Sequence, residues 1–202
     1  MRFTQPENGI TSIVAEPTVP AASVDELKAL LRIDGMDEDL YLIGLLLTAS
    51  MYAVRTLNRS LITMNLVRQY DDVRGLRGLA REYKESNGLI LTYPPIAEVT
   101  RVYTIDEAGT ETNVEGYYTD TLSAPARLYL TQSVTGRNIA MLRIEYTAGY
   151  GDTHEDVPRA IQQGILQHAA FMYEHRGDCD ARDAIDRSGA MVTYRPYRVT
   201  VQ

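Results

Sequence analysis

The chain has 202 residues, 45% hydrophobic and 23% charged, with a formal charge of −7 and a pI near 5.0. That is room for one domain with a real core, or one domain carrying an insertion. The acidic balance excludes a protein that wraps nucleic acid through its phosphates, which takes clustered Lys and Arg, but suits a passage that DNA crosses without sticking.

Residues 1–22 read as an arm, punctuated by Pro6, Pro17 and Pro20 with no sustained period. "SVDE" predicts a capping box with Ser23 as N-cap and Glu26 reaching back. Leu27, Leu30 and Leu31 follow at helical spacing, and Gly35 supplies a stop. A second helix opens on "DEDL", where acids suit the helix dipole. Leu40, Ile43, Leu47, Met51 and Val54 form one apolar stripe; Leu42, Leu45, Leu46, Ala49 and Ala53 form another. Such a helix is central in a core or pressed by a neighbouring subunit. Asn58 ends it. "MRFTQPENGITS" lacks the apolar region of a signal peptide, and the apolar run Leu40–Ala49 is short for a bilayer, so no membrane is expected.

The period then changes. In "LITMNLVRQY" Ile62, Met64 and Leu66 face one way, Thr63, Asn65 and Val67 the other. "LRGLAREYKESNG" (76–88) reads as a loop or short helix. "LILTY" predicts a strand stopped by Pro94 and Pro95. "IAEVTRVYTIDEAGTETNVEGYY" predicts two strands about the turn "DEAG", and "RLYLTQ" and "IAMLRIEYTAGYG" predict two more. Residues 61–148 thus read as an antiparallel β unit inserted between helices. The expected class is α+β: a small bundle of about three main helices, the inserted β unit, and extended N- and C-terminal arms.

"VPRAIQQGILQHAAFMYEHRGD" predicts the third helix, with Asp156 near its cap and Pro158 in its first turn. Ile161, Ile165, Ala169 and Met172 make its stripe, widened by Leu166, Ala170 and Tyr173, and Gly177 closes it. Asp178 to Arg187 is charge-rich and expected to be exposed. Ala190–Gln202 is basic, aromatic and β-prone, and contains no acid. It suits either a strand on the chain's own sheet or a segment that docks on a partner.

The chemistry-bearing residues give little sign of catalysis. Cys179, the one cysteine, sits among acids that disfavour a thiolate, and alone it forms no intrachain disulfide. His154, Glu155 and Asp156 read first as a turn and cap. His168 falls on the apolar face, a core or interface histidine. His175 lies seven residues on, without the i, i+4 spacing of helical metal pairs. No phosphate loop, dinucleotide fingerprint or nucleophile elbow is present. The catalytic alternative is a small metal-dependent hydrolase built on His154, Glu155, His168 and His175. "YEHR" (173–176) reads as a charged, partner-facing helix end.

Four stretches together resemble a known family. They are "LKALLRIDGMDEDLYLIGLLLTAS", "LTYPPIAEVTRVYTIDEAGT", "RIEYTAGYGDTHEDVPRAIQQGILQHAAFMYEHRGD" and "YRPYRV". Their order and spacing resemble the head–tail connector adaptors of long-tailed phages and phage-derived gene transfer particles, over most of residues 24–198. The chain departs from the pattern in lacking tryptophan, in "YEHR" for the commoner YENR, and in the size of its β insertion.

The resemblance implies a non-enzymatic virion protein without cofactors. It would be assembled in the host cytoplasm and placed in the neck between head and tail. It would form a twelve-fold ring beneath the portal protein, extend the channel through which double-stranded DNA passes, and dock stopper or tail proteins. Residues 23–60 and 149–187 would be the adaptor body, 61–148 the inserted subdomain, and 188–202 a portal-binding tail. Met191, Val192, Tyr194, Arg195, Pro196, Tyr197, Arg198 and Val199 would grip the portal. Leu42, Leu46, Tyr173, Glu174 and Arg176 would form ring contacts, and Asp178, Asp180, Asp183 and Asp186 would face the channel. A head-completion stopper or tail-terminator protein is the structural alternative.

Overall fold

The computed structural model describes residues 9–71, 88–131, 139–177 and 180–200. Residues 76–87 of the undecided loop lie outside them, as do residues 132–138 between the last two expected strands. The fold is α+β, and the chain divides into two compact units. One comprises the segment up to Glu16 and Met64–Ala148; the other comprises Pro17–Thr63 and the chain from Gly149 on.

The first unit is antiparallel β. Its strands are β1 (Ile10–Ile13), β2 (Met64–Tyr70), β3 (Leu89–Leu91), β4 (Ile96–Asp106), β5 (Glu111–Asn113), β6 (Tyr117–Asp120), β7 (Ala126–Leu130) and β8 (Ile139–Ala148). One sheet runs β1-β2-β8-β4-β5 and the other β3-β7-β6. Alternation decides which side packs. Met64, Leu66 and Tyr70 on β2 and Leu142, Ile144, Tyr146 and Ala148 on β8 are buried. The "DEAG" turn forms as expected: Asp106 Oδ1 accepts the amides of Ala108 at 2.9 Å and Thr110 at 2.8 Å, with Gly109 at φ +86°. β1 was not legible in the sequence, and the single strand expected after "DEAG" divides into β5 and β6, which join different sheets. β1 turns part of the expected arm into an edge strand, with Ile10 opposite Gln69 and Ile13 opposite Leu66.

Arg68 points inward from β2 and is buried. Its Nε donates to the Tyr70 hydroxyl at 2.8 Å and its Nη1 to Thr11 Oγ1 at 2.8 Å. Tyr70 in turn donates to the Ile90 carbonyl at 2.8 Å. Hydroxyls thus take up the donors of a guanidinium that burial would otherwise strand.

The second unit is helical: α1 (Val24–Leu31), α2 (Asp39–Leu57), α3 (Arg159–Glu174), α4 (Ala181–Arg187) and α5 (Ala190–Tyr194), with 3₁₀ turns at His154–Asp156 and Arg195–Tyr197. Ser23 is the N-cap of α1, but the capping box does not form. Glu26 instead reaches Arg159 of α3 at 2.6 Å. α1 also closes earlier than Gly35, on Arg32 in the left-handed region at φ 57°. Asn58 ends α2 at φ 51° as expected. Lys28 and Asp39 tie α1 to α2 at 2.7 Å.

Leu27, Leu42, Leu46, Ala49, Ala53, Leu57, Ile161, Ile165 and Ala169 make the core. By length and composition α2 is apolar enough to cross a membrane, a longer continuous element than the run Leu40–Ala49 suggested. Its Leu42, Leu46, Ala49, Ser50, Ala53, Val54 and Leu57 are buried within this unit. Ser50 anchors the incoming chain, accepting the Ala21 amide at 3.0 Å. Ala21 and Ala22 are buried, so the expected arm ends inside the core.

The C-terminal segment differs most from expectation. Ala190–Tyr194 is helix, and Tyr194 is 1% exposed. A Cβ on Gly164 would lie 2.4 Å from Tyr194 Cε1, so the tyrosine ring lies directly on α3 where a side chain is missing. Val199 is 4% exposed and donates its amide to the Leu57 carbonyl at 2.9 Å. Asn58 Nδ2 reaches the Val199 carbonyl at 3.0 Å and Arg59 Nε the Tyr197 carbonyl at 2.6 Å. The β-prone composition is overridden because the apolar residues find a helical surface of their own chain. Part of the segment is therefore core rather than tail.

His168 is fully buried on α3, its ring edge-on to Tyr52 at 5.7 Å. Its Nε2 lies 2.7 Å from the Ala181 carbonyl at the start of α4, and its Nδ1 has no partner among the described residues. Burial pushes its pKa below the ordinary 6.5, against a smaller opposing effect of the Ala181 bond.

Packing and acidification each give testable outcomes. Tyr194→Ala costs about 3–5 kcal/mol of stability and Gly164→Val about 1–3 kcal/mol, both read from urea unfolding. Deleting residues 190–202 lowers the urea midpoint as well, contrary to what a free tail would do. Acidification is the second. The unfolded chain takes up a proton on His168 near its ordinary value while the folded chain stays neutral. Unfolded protein then binds more protons, so this contribution to stability falls as pH drops from about 7 to about 5. His168→Gln removes that part of the slope; an unchanged slope would show that the histidine is not its source.

Candidate functional site

Two surfaces of the helical unit stand out. The first gathers around the start of α2 and the end of α3. Arg176, just past α3, meets Glu38 at 2.9 Å. Its guanidinium lies 3.9 Å from the Tyr173 ring centre and 4.9 Å from that of Tyr41. The two tyrosine rings are 6.2 Å apart and tilted by 50°. A hydrogen bond from Tyr173, and then Arg176, hold the Glu38 carboxyl below its ordinary pKa. The cluster is a cation between aromatic faces, closed by one carboxylate. Beside it Leu40 is 87% and Met36 80% exposed.

Of the expected ring contacts, Tyr173, Glu174 and Arg176 are at or near the surface. Leu42 and Leu46 are not: both are fully buried in the unit's own core. The i, i+4 stripe through Leu42 and Leu46 faces α3, and the outward positions of α2 are Leu40, Tyr41, Gly44 and Thr48. Glu38 and Tyr41 were missed. Helical spacing within "YEHR" gives no sign of partners on another helix.

The second surface lies at the far end of α2. A cavity of about 310 Å³ is lined by Thr56, Met191, Val192, Tyr194, Arg195 and Arg198. Val192 is 78% exposed, and Arg195, Pro196 and Arg198 are exposed too, with Tyr197 half-buried. Tyr194 and Val199, expected to grip a partner, are the buried residues that hold the segment down.

The expected acidic set is partly structural. Asp178 lies outside the described residues. Asp180 caps α4, its Oδ1 accepting the amides of Arg182 at 2.9 Å and Asp183 at 2.8 Å. Asp183 and Asp186 are exposed. Cys179 also lies outside the described residues.

The metal-hydrolase alternative loses its constellation. His154 belongs to the turn before α3, where Thr153 and Asp156 form a capping box and the His154 carbonyl accepts from Gln162 at 2.8 Å. His175 is at the opposite end of α3, stacked on Phe171 at 3.8 Å. His168 is turned into the core. Among the described residues no three His, Cys, Asp or Glu side chains come together as a metal site.

No family model and no curated protein matches the sequence. Solved structures do share the fold. A chain in the neck of an empty gene transfer agent particle, computed with C6 symmetry, matches with a TM-score of 0.72 at 23% identity, over 96% of this chain and 97% of that one. A chain in the virion of a native gene transfer agent particle matches at 0.70 and 23%, with the same coverage. A chain in the neck of a native particle, computed with C12 symmetry, matches at 0.69 and 24%, again over 96% and 97%. Along nearly its whole length this chain has the fold of chains in the neck and virion of gene transfer agent particles.

Proposed function

We propose that this chain is a structural neck protein of a gene transfer particle or phage-like virion. Its role is that of an adaptor, forming a ring against the portal, extending the DNA channel and carrying stopper or tail proteins. The observation that carries this reading is the end-to-end likeness to neck chains, 96% of this chain against 97% of the other. The sequence resemblance to head–tail adaptors, reached independently, points the same way.

The two surfaces fit such work. Tyr173, Glu174 and Arg176, with Glu38, Tyr41 and Leu40 beside them, are assigned to contacts between subunits. Pro196, Tyr197 and the chain beyond Val199 are assigned to the portal. The net charge of −7 suits a channel wall that DNA passes without being held. The work is positional: the residues proposed for it contact partners rather than a reacting substrate. A stopper or tail terminator would occupy the same neck, and the helical unit favours the adaptor.

The test is to mix the chain with the portal protein encoded near it and weigh the complex by mass photometry. The expected gain is close to twelve copies of a 22.6 kDa chain, reduced in a Pro196→Asp, Tyr197→Ala chain. No gain on the portal, with binding to a tail component instead, would replace the adaptor by a stopper or terminator.

A further inference from the structure

We infer that neighbouring copies dock head to tail, with the acidic loop between α1 and α2 of one copy seated in the cavity beside α5 of the next. The inference rests on the ring reading above and names the contact that would build the ring.

The loop and the cavity belong to the same helical unit and lie at opposite ends of α2. Leu40 is in the first turn and Thr56 in the last, which separates them by about 24 Å along the helix axis. The loop reads "DGMDEDL" (34–40). Glu38 is engaged by Arg176 and Asp39 by Lys28. Asp34 and Asp37 are exposed and make no ion pair among the described residues. Between and beside them stand Met36 and Leu40, 80% and 87% exposed. These are flexible or branched aliphatic side chains that solvent does not favour.

The cavity has the complementary character. Its wall is apolar through Met191 and Val192, and its rim carries Arg195 and Arg198. Neither arginine makes an ion pair among the described residues. At about 310 Å³ it has room for an aliphatic side chain such as Met36. Two acids flanking an apolar knob on one surface match two arginines rimming an apolar hollow on another.

Charge complementarity identifies the occupant as a second copy of this chain. Loop and cavity are different surfaces, and on the ring reading the contact is heterologous, one copy's loop in the next copy's cavity. It leaves a free loop and a free cavity after every addition, and repeats until it closes on itself. The competing arrangement is a reciprocal two-fold dimer, each loop in the other copy's cavity, and a disulfide ladder that stops at the dimer would overturn the head-to-tail docking in its favour.

The experiment uses the full chain, alone and on the portal. Sedimentation velocity compares the wild type with Asp34→Lys/Asp37→Lys, with Arg195→Glu/Arg198→Glu, and with all four substitutions together. All four positions are exposed, and circular dichroism checks that each variant is folded. Each pair is expected to weaken self-association about tenfold or more, and the fourfold variant to recover it. In a Cys179→Ser background, Met36→Cys with Val192→Cys gives a disulfide ladder that climbs beyond the dimer, while either cysteine alone does not. Assembly that ignores the charge reversals and yields no ladder overturns the docking and leaves the ring standing. A chain that forms no ring even on the portal, and no ladder, overturns both.

Discussion

Met64 stands opposite Ala148 in the pairing of β2 with β8, and everything inserted into the helical unit depends on that pair. It holds the first and last residues of the inserted segment side by side, so the insertion has neighbouring ends. A folded insertion of that kind asks little of its host, since loop closure is already made inside it. The host continues the closure on its own side. Thr63 donates to the Gly151 carbonyl at 2.8 Å and Tyr150 to the Leu61 carbonyl at 3.0 Å. Gly149 sits at φ +147°, and a Cβ there would lie 2.6 Å from the Thr63 nitrogen. The "AGYG" turn is thus set by the close approach of two backbones, and a side chain at Gly149 would pry them apart.

Period carried most of the legible structure. The alternation from Met64 to Tyr70 announced β2 because one face packs and the other does not. The stripe Ile161, Ile165, Ala169 announced α3 for the corresponding helical reason. α2 shows where period fails. With leucines on nearly every side, the pattern does not choose which row faces α3, and Leu42 and Leu46, expected at a ring contact, are buried in the unit's own core. β1 is four residues long, too short for a pattern to emerge, and it exists because β2 is there to pair with it.

The two surfaces of the helical unit were half legible for a similar reason. "YEHR" does place the charged Glu174 and Arg176 at an exposed helix end, yet the partners of Arg176 include Glu38 and Tyr41, more than a hundred residues earlier in the chain. Tertiary packing also decided the C-terminal segment. Val, Thr and Tyr there prefer strands in isolation, but Gly164 offers a shallow seat on α3, and Tyr194 fills it. The gap left by one missing side chain outweighs the local preference of the residues around the tyrosine. What remains outward is a short row of arginine, proline and valine. The resemblance implied that the whole segment grips a partner; the structure buries Tyr194 and Val199 and leaves Val192, Arg195, Pro196 and Arg198 exposed.

The discontinuity of the helical unit has a consequence for how the protein is made. Its first half, through α2, leaves the ribosome long before α3 exists. The β unit can complete its sheets once β8 has emerged, so it is the first of the two able to close. Throughout that interval the inward row of α2, Leu42 through Leu57, has no α3 to cover it. At roughly 5–20 residues per second the wait lasts several seconds. A nascent helix this apolar is a ready client for chaperones, and yield during synthesis, more than stability once folded, is where substitutions on its inward face would first be felt.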